Sequence, residues 1–314
     1  MSVPTREDVI AASARIVGLV EPTPLIETEI GGARAWLKCE CLQTGGAFKL
    51  RGATNRLLQL SPEHRKRGVV AFSSGNHARG VAIAARRLGI RAIIVMPADA
   101  PAVKIDGTRG EGAEIVFYDR ASESREAIAE RIADETGATV VPSFDDPIIV
   151  AGQGTVGIEV LDQLGRSPAR IVIPCGGGGL ASGIALACPD AEIVVVEPEG
   201  WDDMQRSLEQ GEIVPVGPDA PKTFCDAIMT PRVSPMTFGI LSDRNAKALS
   251  VSDAEVAGAI RFAWDKHQLV VEPGAAVALA AVLAGKVPAE DAVVVVSGGN
   301  IDPALHARIV SETA

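Results

Sequence analysis

The stretch RIVIPCGGGGLASG, residues 170–183, decides the fold. A β-branched run at 170–174 enters a glycine loop, and an apolar helical pattern begins at Leu180. In such a strand–loop–helix unit, backbone N–H groups converge on an anion at the helix N-terminus. A tight turn needs only one or two glycines, and further glycines lose backbone entropy on ordering, so the loop predicts a phosphate site. The four glycines of the loop are Gly176, Gly177, Gly178 and Gly179.

Short β-branched runs alternate with helical patterns along most of the chain, which predicts an α/β fold of open parallel sheets flanked by helices. Each predicted strand is apolar enough to be buried on both faces. The helical pattern that begins near residue 125 is expected to end at Gly137, because glycine is a usual C-terminal stop. The predicted strands are 68–72, 91–96, 113–118, 138–141, 170–174, 192–197 and 291–297.

Two boundaries, near residues 67 and 147, divide the sequence where Pro and Asp residues interrupt the pattern. They predict one domain formed by 1–67 together with 148–314, and a small inserted domain at 68–147. The polar, Pro-rich segment 211–236 is predicted to be a long surface connection.

The composition is that of a globular protein with a full core, since 47% of the 314 residues are hydrophobic. The formal net charge of -10, without a cluster of Lys and Arg, argues against a nucleic-acid or anionic-membrane surface. Small molecules or a second copy of the chain are the expected partners. A charged N-terminal segment and the lack of any apolar run of about 20 residues predict a cytoplasmic location. The five cysteines include no C-x-x-C pair, which indicates reduced thiols used mainly in packing.

The glycine loop also fits a second class of protein. Gly176, Gly178 and Ala181 match G-x-G-x-x-A, and Glu197 ends the next predicted strand, where a ribose-binding acid would lie. A nicotinamide-dependent oxidoreductase is therefore an alternative. Against it, four predicted strands precede the loop, whereas dinucleotide folds generally carry the loop on their first strand.

Three further segments carry polar groups. Lys49 follows Phe48 in a segment that contains several small residues. Partial desolvation there would lower its pKa toward that of an amine that forms Schiff bases, although most lysines are simply exposed. The segment SSGNHA, 73–78, follows a predicted strand and either binds a carboxylate or caps a helix. SGGN, 297–300, ends the last predicted strand, at an edge where open α/β sheets bind ligands.

Taken in order, the lysine segment, SSGNHA, AGQGT (151–155), GGGGL, VEPGAA (271–276) and SGGN resemble the serine/threonine dehydratase and serine racemase family. These are fold-type II pyridoxal-phosphate enzymes related to the tryptophan synthase β subunit. The resemblance spans nearly the whole chain and implies a two-domain enzyme. The large domain would bind the cofactor, the small one would clamp an amino-acid substrate, and the protein would be a homodimer.

The resemblance also implies roles for single residues. Lys49 would carry the cofactor and later remove the Cα proton, and Ser74 would face the substrate from the opposite side. Ser297 would pair with the pyridine nitrogen, and its neutral hydroxyl would leave more carbanion charge for loss of a β-substituent. Further cofactor contacts are implied for Phe48, Asn76, the four loop glycines, Leu180 and Glu272. Further substrate contacts are implied for Ser73, Gly75 and His77.

Two positions depart from the family pattern. Gly45-Gly46-Ala47 replaces the usual Thr-Gly-Ser, and Arg79 stands where Gln is common. Neither change removes a group that the chemistry requires, so the expected reaction is dehydration of a β-hydroxy amino acid such as L-threonine or L-serine to a 2-oxo acid and ammonia.

Arg125 matches an arginine of racemase-like relatives that approaches the distal side of the substrate. Guanidinium pairs well with carboxylate, which makes 3-hydroxyaspartate an alternative substrate. Arg125 would otherwise be a surface residue paired with Glu126. Serine racemisation is a further alternative on the same scaffold.

EPEGWDD, 197–203, resembles the divalent cation site of the family. The carboxylates of Glu197 and Asp203 and the main-chain carbonyl of Trp201 would supply hard oxygen ligands suited to Mg²⁺ or Ca²⁺. The alternative is a solvated helix start, where acidic residues favour the helix dipole.

Overall fold

The computed structural model describes residues 3–73, 75–100 and 102–312. Ten strands form two sheets. The strands are β1 Leu25–Ile30, β2 Ala33–Cys39, β3 Val69–Phe72, β4 Ala92–Pro97, β5 Glu114–Tyr118, β6 Thr139–Val140, β7 Arg170–Pro174, β8 Glu192–Pro198, β9 Lys247–Val251 and β10 Ala292–Val296.

The larger sheet has six strands in the order β1-β2-β10-β7-β8-β9, and the smaller has four in the order β5-β4-β3-β6. The β1–β2 pair is antiparallel, and every other pair that the structure describes is parallel. All strands of the smaller sheet fall within residues 69–140. The predicted α/β class with parallel sheets is confirmed.

Helices flank both sheets. They are α1 Arg6–Ile16, α2 Lys49–Leu58, α3 Pro62–Arg67, α4 Asn76–Leu88, α5 Ala102–Gly110, α6 Arg125–Thr136, α7 Pro147–Leu164, α8 Gly179–Ala187, α9 Asp203–Gln210, α10 Pro235–Asp243, α11 Asp253–His267, α12 Pro273–Leu283 and α13 Pro303–Ser311. Single 3-10 turns occur at Glu40–Leu42 and Asp226–Ile228. As predicted, α6 stops at Gly137, which adopts a left-handed conformation.

The seven predicted strands are all present, and β7 has the predicted bounds. The sequence did not reveal β1, β2 and β9. The first and last of these are edge strands with many partly exposed positions, so they lack a continuous apolar run. The strand β2 is buried, but it carries Lys38 at 0% exposure, and a buried lysine breaks the apolar pattern.

Close helix packing is built on glycine. A Cβ added to Gly154 of α7 would lie 2.5 Å from the carbonyl oxygen of Gly183 of α8. The two backbones therefore approach more closely than any side chain would allow. The helix α2 contributes Leu50, Ala53 and Leu57 to the core of the smaller sheet.

The connection between α9 and α10 contains only the short turn at 226–228. It is irregular, as expected of 211–236, but it is more than a surface connection, because Cys225 and Val233 are buried. All five cysteines are free and buried, as predicted. Within the part of the chain that the structure describes, no helix is both long and apolar enough to span a membrane.

Candidate active site

A cavity of about 290 Å³ opens at the carboxyl ends of the strands. It brings together segments that are far apart in the sequence. The predicted residues that line it are Phe48, Lys49, Ser73, Gly75, Asn76, His77, Arg125, Gly176, Gly177, Gly178, Gly179, Leu180, Glu272 and Ser297. Ser74 lies outside the described residues.

Lys49 is the first residue of α2 and points its amine into the cavity. Lys49 Nζ donates to the carbonyl oxygen of Ser143 at 2.9 Å and lies 5.1 Å from the centroid of the Phe48 ring. Burial lowers the pKa of Lys49 to about 8. A substantial fraction of this amine is therefore unprotonated in mildly alkaline solution, as a nucleophile or base requires.

The lysine segment is tied to the loop after β10. Phe48 N donates to the carbonyl oxygen of Ser297 at 3.2 Å, and Gly299 N donates to that of Gly46 at 2.8 Å. Gly46 has a φ of +75°, and a side chain there would overlap the amide of Asn300. Main-chain contacts thus hold Ser297, the predicted partner of the pyridine nitrogen of the cofactor, next to Lys49.

Asn76 joins two other segments at the cavity wall. Its Nδ2 donates to Glu272 Oε1 at 2.5 Å, and its Oδ1 accepts from Asn300 Nδ2 at 2.8 Å. Burial raises the pKa of Glu272 to about 7. These two hydrogen bonds fix the orientation of the Asn76 amide. A fixed orientation is what the predicted hydrogen bond from Asn76 to a cofactor hydroxyl would require.

The glycine loop forms a cradle at the start of α8. Gly178 has a φ of +83° and is the N-cap of the helix, and the following N–H groups have no acceptor within the helix. A Cβ on Gly177 would overlap the ring of Phe144, and one on Gly176 would lie 2.9 Å from Thr230 Oγ1. The loop can therefore bind an anion through its backbone only while it remains free of side chains.

His77 is a buried residue of the cavity wall. Its Nε2 donates to the carbonyl oxygen of Val141 at 2.8 Å, which leaves Nδ1 as the acceptor nitrogen. Within the described residues, Nδ1 has no hydrogen-bond partner. Burial, aided by the charge of Lys49, lowers the pKa of His77 to about 3, so the ring is neutral.

Arg125 both lines the cavity and pairs with Glu126, so its position agrees with either of the two interpretations that the sequence left open. Its Nε donates to Glu126 at 2.8 Å on the surface, while its guanidinium lies 5.6 Å from the centroid of the Phe72 ring and lines the cavity. Two cations that the sequence did not single out, Lys104 and Arg120, line the same cavity. They resemble ordinary surface residues in the sequence, and only folding brings them to the site.

The three residues predicted to bind a metal lie outside this cavity. Glu197 accepts from the N–H groups of Met204 and Gln205 at 3.0 and 2.8 Å, and Trp201 Nε1 donates to the carbonyl oxygen of Pro221. Asp203 Oδ2 is buried without a described partner. Burial raises the pKa of Asp203 to about 7 and that of Glu197 well above its ordinary value. No cluster of three His, Cys, Asp or Glu side chains suited to a metal occurs within 3–73, 75–100 and 102–312.

A lysine amine of lowered pKa, an anion cradle of backbone N–H groups and a hydroxyl in one cavity define a site for a phosphorylated aldehyde cofactor. The cradle has the side-chain-free loop that a phosphate needs, so these residues fit pyridoxal phosphate. Comparison with known proteins agrees. Residues 16–299 match the family model described as pyridoxal-phosphate dependent enzyme. The chain belongs to this family.

Individual relatives show which members of the pyridoxal-phosphate family this chain is similar to, namely ammonia-lyases and serine racemases. The chain is 42% identical to an L-threo-3-hydroxyaspartate ammonia-lyase from Pseudomonas sp, over 99% of each chain. The structure of maize serine racemase superposes with a TM-score of 0.92 at 34% identity, covering 98% of this chain and 97% of that one. A threonine deaminase from T.th. superposes with a TM-score of 0.87 at 39% identity, covering 95% of this chain and 99% of that one. Fold-type II pyridoxal-phosphate chemistry is thus established, and the oxidoreductase alternative is not supported.

Proposed function

We propose that this enzyme is an ammonia-lyase that converts 3-hydroxyaspartate to a 2-oxo acid and ammonia. The observation that carries the proposal is the set of three cations, Lys104, Arg120 and Arg125, that line the same cavity as Lys49. A second carboxylate on the substrate gives these charges a partner, whereas threonine and serine do not. The name of the Pseudomonas relative agrees with this choice.

Lys49 would hold the cofactor through its amine and, as a free amine, would accept the proton from Cα of the substrate. Pyridoxal phosphate supplies electron withdrawal from Cα when it is bound. Asn76 and Ser297 would orient the cofactor ring, and the loop of residues 176–180 would hold its phosphate. The neutral Ser297 hydroxyl, unlike a carboxylate, would not favour a protonated ring, which would favour loss of the β-hydroxyl.

Arg125 is the preferred partner of the distal carboxylate. Its Nε is engaged with Glu126, and its remaining N–H groups are available for a bidentate contact from the cavity wall. Lys104 is paired with Asp226 at 2.6 Å and Arg120 with Asp99 at 2.8 Å. The Arg125–Glu126 pair is partly exposed as well, so exposure does not distinguish the three cations. Arg125 is preferred because its guanidinium lies against the ring of Phe72, which also lines the cavity.

The experiment is a keto-acid assay with both 3-hydroxyaspartate diastereomers, L-threonine and L-serine. Arg125→Gln should lose about ten- to a hundredfold in kcat/KM on hydroxyaspartate, the usual worth of a hydrogen bond to a charged group. Its kcat/KM on threonine should change little. Arg131→Gln, an exposed position on the same helix, is the matched control. If the wild-type enzyme prefers threonine or serine, the dicarboxylate proposal is wrong.

Threonine or serine dehydration is the second candidate, supported by 39% identity to the threonine deaminase structure. Serine racemisation is the third, supported by the fit to the maize racemase. For racemisation, we propose that Ser74 acts on the substrate face opposite Lys49. Ser74→Ala should then abolish D-serine formation and spare keto-acid formation, which a chirality assay would separate.

We propose that Glu197, Asp203 and the main-chain carbonyl of Trp201 hold Mg²⁺ or Ca²⁺. Asp203 Oδ2 supports this, because it is buried without a partner among the described residues and a buried carboxylate needs a compensating charge. A chelator should lower the melting temperature of the wild type, and Asp203→Asn should remove that response. An unchanged melting temperature after chelation would count against a bound cation.

We further propose that the chain is a cytoplasmic homodimer in which residues 68–147 clamp the substrate. The family resemblance supports the dimer and the clamp, and the net charge of -10 fits a freely dissolved protein. Light scattering after gel filtration tests the dimer. Protection of 68–147 from proteolysis by substrate tests the clamp.

A further inference from the structure

Three buried charged side chains and the partly exposed Glu159 form a cluster beneath the helix that begins at Lys49. Arg51 donates to both Glu40 oxygens at 2.8 Å each and to Glu159 at 2.5 and 2.9 Å. Lys38 Nζ donates to Glu159 at 2.6 Å. Arg51, Lys38 and Glu40 are each 0% exposed, and the four formal charges sum to zero.

The cluster joins three parts of the fold. Lys38 and Glu40 belong to β2 and the turn that follows it, Arg51 belongs to α2, and Glu159 belongs to α7. Burying charges costs free energy that their mutual attraction only partly recovers, so apolar residues would fill such a space at no loss of stability. The cluster therefore provides what apolar packing does not, namely hydrogen bonds that fix the orientation of α2 relative to its neighbours.

The direction is set by helix geometry. Residues two apart on a helix are separated by about 200° around its axis, so Arg51 and Lys49 point to opposite sides of α2. Asn55 lies one turn beyond Arg51 on the anchored side, and its Nδ2 donates to the carbonyl oxygen of Ile148 at 2.7 Å. Gly52 N also donates to Gln153 Oε1 at 3.0 Å. One hydrogen bond of this kind would not by itself prevent rotation of the helix.

We propose that Arg51, held by Glu40 and Glu159, sets the rotation of α2 about its axis and is thereby a positioning residue for Lys49. The guanidinium meets two carboxylates from different elements, so rotation of α2 in either direction breaks a charged hydrogen bond. The amine on the opposite side is consequently held toward the cavity. This inference rests on the proposed role of Lys49 as the residue that carries the cofactor.

The cluster can be divided into two neutral pairs, which gives a matched experiment on the holoenzyme. Arg51→Met with Glu40→Gln removes the pair that anchors α2. Lys38→Met with Glu159→Gln removes the other pair, and the amide at position 159 can still accept from Arg51. Neither double variant leaves a net buried charge, so the melting temperatures of the two double variants should differ little from each other.

Two readouts separate positioning from stability. The first is the fraction of cofactor attached to Lys49, measured by borohydride reduction and peptide mass analysis. The second is kcat per folded holoenzyme. The Arg51/Glu40 variant should attach less cofactor and lose about tenfold or more in kcat with little change in KM, as expected for a displaced catalytic group. The Lys38/Glu159 variant keeps Arg51, both of its contacts to Glu40 and one acceptor oxygen at position 159, so it should lose clearly less than the Arg51/Glu40 variant in both readouts.

If the Arg51/Glu40 variant does not fold, Arg51→Lys replaces it, since a lysine keeps the charge but not the fork that spans both carboxylates. Wild-type attachment and kcat in a folded Arg51 variant would overturn the proposal, as would equal losses in both double variants. A wild-type enzyme whose cofactor is not on Lys49 would instead overturn the proposed function.

Discussion

Asn76 and Glu272, 196 residues apart in the sequence, meet in a hydrogen bond of 2.5 Å from Asn76 Nδ2 to Glu272 Oε1. The contact joins the first helix after β3 to the segment before α12. It lies at the wall of the cavity that contains Lys49. The carboxyl is buried, and the same burial that raises its pKa makes the fold sensitive to pH.

Glu272 should make the stability of the protein fall as pH rises from 5 to 8. Its pKa is about 7 in the folded protein against an ordinary value of 4.5, so folding favours the protonated form. The stabilisation is full below pH 4.5 and is lost as pH rises through 7. Glu272→Gln should therefore gain up to ~3 kcal/mol relative to wild type between pH 5 and 8.

Urea unfolding at both pH values measures this difference. Glu63→Gln, an exposed change on α3, is the control and should show no such trend. A difference between wild type and Glu272→Gln that is the same at pH 5 and pH 8 would contradict the prediction.

Lys49→Ala should abolish turnover while leaving the fold intact. Loss of the amine removes both cofactor attachment and the proton acceptor, and a general base alone contributes about 100- to 10,000-fold. Lys49 lies in the wall of an open cavity, and the hydrogen bond described for its amine is to the carbonyl oxygen of Ser143, so the melting temperature should move little. Lys66→Ala, on the exposed side of α3, should retain full activity. Residual turnover of Lys49→Ala near the wild-type rate would exclude the assignment.

Gly177→Ala should weaken cofactor binding by about tenfold or more, because the new Cβ overlaps the ring of Phe144 and pushes the loop away from the phosphate. Fluorescence titration of the apoenzyme with pyridoxal phosphate measures the Kd. Phe144→Ala added to Gly177→Ala should recover part of the affinity, since it removes the obstacle. If the double variant binds no better than the single one, the clash is not the cause.

Gly183→Ala should destabilise the fold by about 1–3 kcal/mol, the usual cost of overpacking a core. A Cβ at this position would lie 2.8 Å from the Cα of Gly154, at the contact of α7 and α8. Gly239→Ala on α10 is the matched control, because its Cβ would meet no atom within 4 Å. The control should be stabilised by about 0.5–1 kcal/mol through the helix preference of alanine. Equal melting temperatures for the two variants would refute the packing argument.

Much of this fold was predictable because the decisive signals are local. A buried parallel strand is a short apolar run, and a strand that ends in glycines before a helix forms an anion site wherever it occurs. Seven of the ten strands and the polar loops after β3, β7 and β10 follow from such runs. The strands β1 and β9 were not predicted, because they are edge strands, and an edge strand need not be apolar on both faces.

The order of motifs in the sequence was sufficient to indicate a pyridoxal-phosphate enzyme and to propose Lys49 as the residue that carries the cofactor. Tertiary structure alone decided which other side chains surround that lysine. Phe144, Lys104 and Arg120 have no local signature, and the partners of Arg51 lie 11 and 108 residues away. The physical reason is that backbone conformation depends mainly on near neighbours, whereas the meeting of distant side chains depends on strand order. Because β10 pairs with β2 and β7, the loops that follow these strands converge on one cavity.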